Sequence, residues 1–330
     1  MDQPPTVSVI IPTHGTAPFL RSAVESVLAQ TFQDLELLVV ENGPGHAGVS
    51  LLEDLIASDR RIRSIHVEPA DPSGARNEGI RRSQGAYIAF LDHDDEWLPV
   101  KLERQLRVLE ARPEAGMVSC PAWMINEAGS VMNEDPLLWD GEVLTFDALV
   151  KRGCLIRSLS SVVVRKACVD RVGLFRSCYR IANDYDLYLR LARRYAVVAI
   201  REPLYRYRLH AANLSSKVEQ MREEMVGVLS SLRSEGDLKN VQGSIRDRIA
   251  KYRHSMAVDA MDEGRYAHAL GYLVSALRHN VFIGAALPWG RFSNPIYRFF
   301  RPYLALLYCG WKVGVETVAA TSSRRGDEAR

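Results

Sequence analysis

Residues 86–98, AYIAFLDHDDEWL, decide how this chain reads: an aliphatic run of strand length, Ala86 to Leu91, ends in Asp92, Asp94 and Asp95, with Glu96 directly behind. Four acids within five residues repel one another unless a cation neutralises them, and hard oxygen ligands of this kind suit magnesium or manganese sharing a substrate phosphate. A solvated acidic turn has the same composition. The position favours a ligand site, because in open α/β sheets ligands sit in the crevice outside the carboxyl ends of the strands, where Leu91 hands over to Asp92.

The residues upstream supply the rest of such a sheet. VSVIIP (7–12), LELLVVE (35–41), IRSIHV (62–67) and AYIAFL (86–91) are short β-branched or aliphatic runs with the length of buried strands. Between them, Phe19, Leu20, Ala23, Val24, Val27 and Leu28 recur with the spacing of one buried helix face, and Leu51, Leu52, Leu55 and Ile56 repeat it. A third helix is expected from about Ser73 to Gln84, with Gly85 as its left-handed C-terminal cap. Strands alternating with helices predict a mainly parallel, Rossmann-like nucleotide-binding sheet with right-handed crossovers.

VSVIIPTHG, SVLAQTFQDLELLVVENG, GARNEGIRRSQGAYIAFLDHDDEWLP and NDYDLYLRLA, in that order, resemble the successive blocks of the inverting family 2 glycosyltransferases, which have the glycosyltransferase A-type fold. The resemblance covers about residues 6–210. It implies a metal-dependent enzyme that moves one sugar from a nucleotide-diphosphate sugar to an acceptor hydroxyl.

The resemblance also implies site residues. Pro12, Thr13 and His14 would border the base of the donor, and Glu41 and Asn42 would read it. The family usually has two aspartates at the latter place, so the identity of the base is open; an amide both accepts and donates, and Asn42-Gly43 also suits a plain turn. Arg76 would meet the donor phosphates, since a planar guanidinium fits phosphate oxygens two at a time, or would lie on the helix surface. Asp71, just upstream, matches only loosely. Asp92 would contact the sugar or ribose and Asp94 would ligate Mg²⁺ or Mn²⁺, with His93 a spacer and Trp97 a packing residue that begins the next helix. Asp184 would be the general base that deprotonates the acceptor, or a helix cap beside Asn183; the family usually carries Glu-Asp here. Asp186 is expected to support the local fold. His210 would approach the diphosphate or the metal, or lie in a surface loop. Displacement opposite the leaving group inverts the anomeric centre and needs no second carboxylate nucleophile.

Composition agrees with this reading. The 330 residues, 47% of them hydrophobic, suffice for two domains with a sizeable core, and a net charge of +2 implies no nucleic-acid partner. The five cysteines show neither CxxC spacing nor an even count, which speaks against a zinc site or a disulfide framework and for a cytoplasmic setting. MDQPPTVSVIIP lacks a basic segment followed by a long apolar core, which argues against a cleaved signal. The processive synthases' Gln-x-x-Arg-Trp block and multiple membrane spans are missing from the sequence, so one transfer per encounter is expected.

Three regions are expected: a catalytic domain at 1–214, a helical extension at 215–290, and an aromatic, basic segment with a tail at 291–330. Helices are expected over 216–235, 239–262 and 265–279, packing on the catalytic domain or on a second subunit as a homo-oligomer contact. From Arg291 onwards seven arginines or lysines face three acids, and the apolar run between Arg301 and Lys312 is too short to span a bilayer. An amphipathic helix in the membrane interface fits Ile296 to Ala320, as does a helix packed on protein. The expected partners are a nucleotide-sugar donor and a saccharide or lipid-linked saccharide acceptor, in surface polysaccharide or glycoconjugate synthesis, peripheral to the cytoplasmic membrane face. Two rivals stay open: a catalytically silent nucleotide-sugar-binding protein, suggested by Asn42 and Asn183, and a nucleotidyltransferase, although PTHGTAPFL lacks the lysine and glycines of that class's phosphate loop.

Overall fold

The computed structural model describes residues 3–15, 17–43, 50, 52–68, 72–135, 143–211, 213, 217–234, 238–280, 305–307 and 309–313. They fall into two compact units, Met1–Ser216 and Lys217–Arg330.

The first unit is built on β1 (Val7–Thr13), β2 (Leu35–Asn42), β3 (Ile62–Val67) and β4 (Tyr87–Phe90), all parallel, in the spatial order β3-β2-β1-β4. β6 (Ala115–Ser119), β9 (Val143–Leu144), β10 (Val163–Arg165) and β11 (Ala196–Ala199) extend the sheet in the order β4-β10-β6-β11-β9, with β10 antiparallel to both its neighbours. The sheet is therefore mainly parallel. Odd-numbered side chains of β1 and β2, among them Val9, Ile11, Leu37 and Val39, share a core with Leu20, Ala23, Val24 and Val27 of α1 (Leu20–Leu28). Period-two alternation on the strands and period-3.6 recurrence on the helix bring these apolar faces together. α2 (Glu53–Ser58) follows the same logic with Leu55 and Ile56 against that core.

α3 (Pro72–Arg82) is the third expected helix, but Gly85 is not its left-handed cap. A Cβ on Gly85 would stand 2.6 Å from Ser8 N and 2.8 Å from Val7 C, and the Gly85 amide donates to Ser8 Oγ at 2.9 Å. Glycine is needed here for close backbone approach rather than for a positive φ. Gly85→Ala should lower stability by about 1–3 kcal/mol, read as an earlier denaturation midpoint at unchanged m-value. An unchanged midpoint would show that β1 and the α3–β4 turn can part without cost.

A second sheet, in the order β5-β12-β7-β8, comprises β5 (Glu96–Trp97), β7 (Ala122–Ile125), β8 (Val131–Asp135) and β12 (Tyr205–Arg208). Trp97 is a packing residue as expected, 3% exposed, but it sits in β5 opposite Tyr205 rather than at a helix start; α4 (Lys101–Ala111) begins four residues later. Its indole N–H donates to Ser160 O at 2.9 Å, so the strand is pinned from its side chain as well as its backbone. The remaining helices of this unit are α5 (Phe146–Arg152), α6 (Lys166–Val172) and α7 (Asn183–Ala192).

Among its described residues the second unit contains α8 (Val218–Arg233), α9 (Gln242–Asp262) and α10 (Tyr266–His279). Arg265 pairs with Glu219 at 2.9 Å, and Tyr272 Oη donates to the same carboxylate at 2.9 Å. Residues 305–307 and 309–313 are helical. Cys309 is fully buried with Ala257, Ala260, Ala269 and Leu273, whereas Leu307 and Trp311 are 71% and 61% exposed. Most of the Ile296–Ala320 segment, like Asp71, lies outside the described residues. No helix among the described residues is long and apolar enough to cross a membrane.

Candidate functional site

β1 lies between β2 and β4, all three parallel, so their carboxyl ends stand side by side and carry several of the residues singled out above. Pro12 and Thr13 are the last two residues of β1. Register places Thr13 beside Glu41 on β2, and Glu41 beside His66 on β3, so three polar side chains form a row across the strand ends. Glu41 is buried and Asn42 half-buried, with Glu41 Oε2 at 3.9 Å from His66 Nδ1. Thr13 Oγ1 is buried and has no hydrogen-bond partner among the described residues.

On the other side of β1, Arg76 extends from α3. Its Nη2 pairs with Asp92 Oδ1 at 2.8 Å and its Nη1 lies 3.5 Å from Asn183 Oδ1. Its Nε is buried without a partner among the described residues. A guanidinium with an unsatisfied buried N–H is poised to take a further acceptor.

The acidic loop is held from two directions. Arg208, at the end of β12, donates its amide to Asp95 Oδ1 and its Nε to Asp94 O, both at 3.0 Å, and its guanidinium pairs with Glu96. From behind, Ser160 Oγ accepts the Asp92 amide at 3.0 Å, while the Ser158 hydroxyl lies 3.3 Å from Asp92 Oδ2 and 3.4 Å from Asp95 Oδ2. Burial, helped by Asp94 and Asp92, pushes the Asp95 carboxyl well above the usual carboxylate range. Asp95 thus serves as an internal anchor, while Asp92 and Asp94 keep some exposure.

Pairing of β12 with β5 carries His210 to the same loop, where its Nε2 is 2.9 Å from Asp94 Oδ2. The His210 amide donates to Asn213 Oδ1 at 2.6 Å, fixing the turn that presents the ring. Among the described residues no three His, Cys, Asp or Glu side chains form a ready metal cage. The donor set present nevertheless fits Mg²⁺ or Mn²⁺: Asp94 supplies a hard oxygen and His210 an imidazole, and such ions take one or two protein ligands with substrate phosphates and water completing the shell. Around them, His14 meets His93 edge to face at 5.3 Å.

Asp184 enters from α7. The N-cap of that helix is Ala182, so neither Asn183 nor Asp184 plays the capping role; the Tyr185 amide donates to Asp184 Oδ1 at 2.6 Å. Burial raises the Asp184 carboxyl to about 6, against the lowering effects of that amide and of Arg76. Asp186 is buried and locked by Arg190 at 2.7 Å and Arg176 at 3.1 Å. The structure thus joins Arg76, Asp92 and Asn183 in one network and Asp94 with His210 in a second, while the Glu41 row lies across β1 from both. Sequence reasoning did not single out Ser158, Ser160, Arg208 or His66. Their local sequence carries no motif, and only strand pairing brings them to the crevice.

A mainly parallel sheet with carboxylates gathered at its strand ends is an α/β domain with the glycosyltransferase A-type fold. Residues 8–147 match the family model for glycosyl transferase family 2. An uncharacterized glycosyltransferase of Rickettsia felis is 29% identical over 225 residues, 67% of this chain and 37% of the relative, so the chain spans little more than a third of that protein's length. TuaG of Bacillus subtilis, named as a teichuronic acid biosynthesis glycosyltransferase, is 28% identical over 64% of this chain and 82% of its own. Among solved structures, S. aureus TarS 1–349 in complex with UDP-GlcNAc superposes with a TM-score of 0.67 at 12% identity, covering 96% of this chain and 92% of that one. The mannosyltransferase PcManGT from Pyrobaculum calidifontis, in complex with GDP-Man and Mn²⁺, does so with a TM-score of 0.59 at 16% identity, covering 94% and 87%. The matched segment and the named relatives make residues 8–147 similar to glycosyl transferase family 2, and the solved structures share the fold.

Proposed function

We propose that the chain is a metal-dependent, inverting glycosyltransferase that moves one sugar from a nucleotide-diphosphate sugar to an acceptor hydroxyl in polysaccharide or glycoconjugate assembly. The observation that carries the reading is the convergence of Arg76–Asp92, Asp94–His210 and a desolvated Asp184 at the ends of parallel strands. TarS with UDP-GlcNAc and PcManGT with GDP-Man and Mn²⁺ support a nucleotide-sugar donor and a divalent ion, and TuaG supports the polysaccharide setting.

In this reading Pro12, Thr13, Glu41 and Asn42 border the base. Arg76 turns its unsatisfied Nε and one Nη to the diphosphate, where two-point hydrogen bonding fixes the leaving group. Asp92, released on one oxygen by Arg76 but still held by Ser158, meets the sugar or ribose. Asp94 and His210 hold Mg²⁺ or Mn²⁺, which when bound offsets the negative charge that grows on the departing diphosphate. Asp184 takes the proton from the acceptor hydroxyl as that oxygen attacks the anomeric carbon; the C–O bond to the diphosphate breaks on the opposite face, and the configuration inverts. A base near 6 is ionised at neutral pH yet stronger than an ordinary carboxylate.

The division of labour we propose assigns catalysis to 1–214 and a helical extension to 215–290. The exposed Leu307 and Trp311, one helical turn apart and followed by Lys312, support contact of the segment after residue 291 with an anionic membrane surface at which a lipid-linked acceptor would lie. Deleting residues 291–330 should release the protein from anionic vesicles.

The deciding experiment screens purified protein with Mn²⁺ or Mg²⁺ against UDP-, GDP- and dTDP-sugars for release of nucleoside diphosphate. Release from one donor, abolished by chelation, is expected; tight donor binding without turnover, even with cell-derived lipid acceptors, would favour a silent binding protein. The pH profile gives an independent check. Because Asp184 must be ionised and its carboxyl sits near 6, kcat should climb through about pH 6 and level off above 7. An acid limb near pH 4 would mean that the base is not desolvated.

A further inference from the structure

Tyr188 lies one helical turn beyond Asp184 on α7 and is fully buried. Its hydroxyl has no hydrogen-bond partner among the described residues. Leaving a buried hydroxyl unpaired costs stability, and phenylalanine would fill the same volume without that penalty. The cost is recovered if an acceptor reaches the phenol in another state of the site.

The geometry narrows which acceptor that is. Helical side chains lean towards the N-terminus, so a residue at i+4 covers the turn that carries residue i, and the Tyr188 ring covers the turn of Asp184. The ionisable groups that act electrostatically on the phenol are Asp184 on α7 itself, Cys154 after α5, Asp92 after β4 and Tyr205 on β12; burial first, and these groups after it, keep the phenol protonated. A protonated phenol beside carboxylates donates. In the donor-bound state read above, Asp92 keeps Ser158 on Oδ2 and turns Oδ1 to the sugar or ribose, whereas at Asp184 the amide of Tyr185 engages Oδ1 alone.

We propose that Tyr188 is a positioning residue, whose hydroxyl donates a hydrogen bond to Asp184 Oδ2 when the donor diphosphate draws Arg76 away. The inference rests on the reading of Asp184 as the base. With one oxygen held by the Tyr185 amide and the other by the phenol, the carboxylate cannot rotate, and a lone pair remains for the acceptor proton because each oxygen has two. Loss of Arg76 as a neighbour removes one stabilising charge from Asp184, and the phenol replaces it.

Tyr188→Phe, Tyr205→Phe and Asp184→Asn, compared in the full chain, test this. Tyr188→Phe should fold with an equal or higher melting temperature, keep the donor KM, lower kcat about ten-fold, and move the acid limb of kcat to higher pH, because a hydrogen bond that favoured the ionised base is gone. Tyr205→Phe, which removes the other unpaired buried phenol, should leave the limb in place. An unmoved limb and unchanged kcat in Tyr188→Phe, with Asp184→Asn inactive, would overturn the positioning role alone, as would an equal shift in Tyr205→Phe. Full activity in Asp184→Asn would remove the base assignment itself and the role of Tyr188 with it.

Discussion

Asp184→Asn is expected to lower kcat by about three orders of magnitude while changing the donor KM by less than about three-fold. The amide keeps the shape of the carboxylate and can still accept the Tyr185 amide, but it cannot take a proton from an acceptor hydroxyl. Donor binding should persist because Arg76, Asp92, Asp94 and His210 are untouched. The same substitution should make the fold more robust at neutral pH. Burial lifts the Asp184 carboxyl from 3.8 to about 6, so the folded state holds that proton more tightly than the unfolded chain does. A group with a raised folded value contributes its stability fully below the unfolded value and loses it as pH rises through the folded one. Native protein and variant should therefore melt together near pH 4, and the variant should melt later at pH 8. Equal midpoints at both pH values would show that Asp184 is not desolvated. A variant that retains activity would move the base elsewhere on the acceptor side.

Asp94→Ala is the second large effect, with kcat/KM falling by about 10²–10³ and the Mn²⁺ concentration for half-maximal rate rising out of range. It removes the hard oxygen of the Asp94–His210 pair, and the leaving diphosphate then departs without its counter-charge. His210→Ala should be milder, about ten-fold, because Asp94 and the diphosphate oxygens still hold the ion. Calorimetric titration of Mn²⁺ into protein with UDP or GDP present separates binding from turnover. Unaltered Mn²⁺ affinity in Asp94→Ala would remove this residue from the metal site and leave the Asp94–His210 contact a structural hydrogen bond.

Both effects concern residues legible before any tertiary structure. Asp92 and Asp94 end an aliphatic run of strand length, so the acidic cluster was legible from the residues themselves, whereas the parts given to Asp94 and Asp184 came from the resemblance to the family's blocks. The sheet was equally legible: β1 to β4 are short β-branched or aliphatic runs separated by amphipathic or glycine-bounded segments, and their observed bounds differ from the expected ones by one residue or so. The errors have a common cause. Gly85 reads as a helix cap because glycine after a helix usually is one, yet its need arises from Val7 and Ser8, almost eighty residues earlier. The alternative reading of Asn183 or Asp184 as a helix cap fails for a related reason, since polar residues often precede helices but here the N-cap is Ala182.

What the sequence by itself determined was local: which runs become strands, which helix faces are apolar, and which carboxylates end up at strand ends. Side-chain period and residue chemistry operate over a few positions, and that range was enough. Only the tertiary structure decided the partners. The pairing of β12 with β5 brings His210 to Asp94 across 116 residues, α3 leans Arg76 onto Asp92, and the Ser158–Ser161 turn closes behind Asp92 and Asp95. Desolvation of Asp184 is likewise a property of the packed unit, since the same carboxylate in an open chain would titrate as an ordinary aspartate. Hydrogen bonds and dielectric depend on which surfaces meet, and those meetings are set by strand register and helix docking over separations that no local pattern encodes.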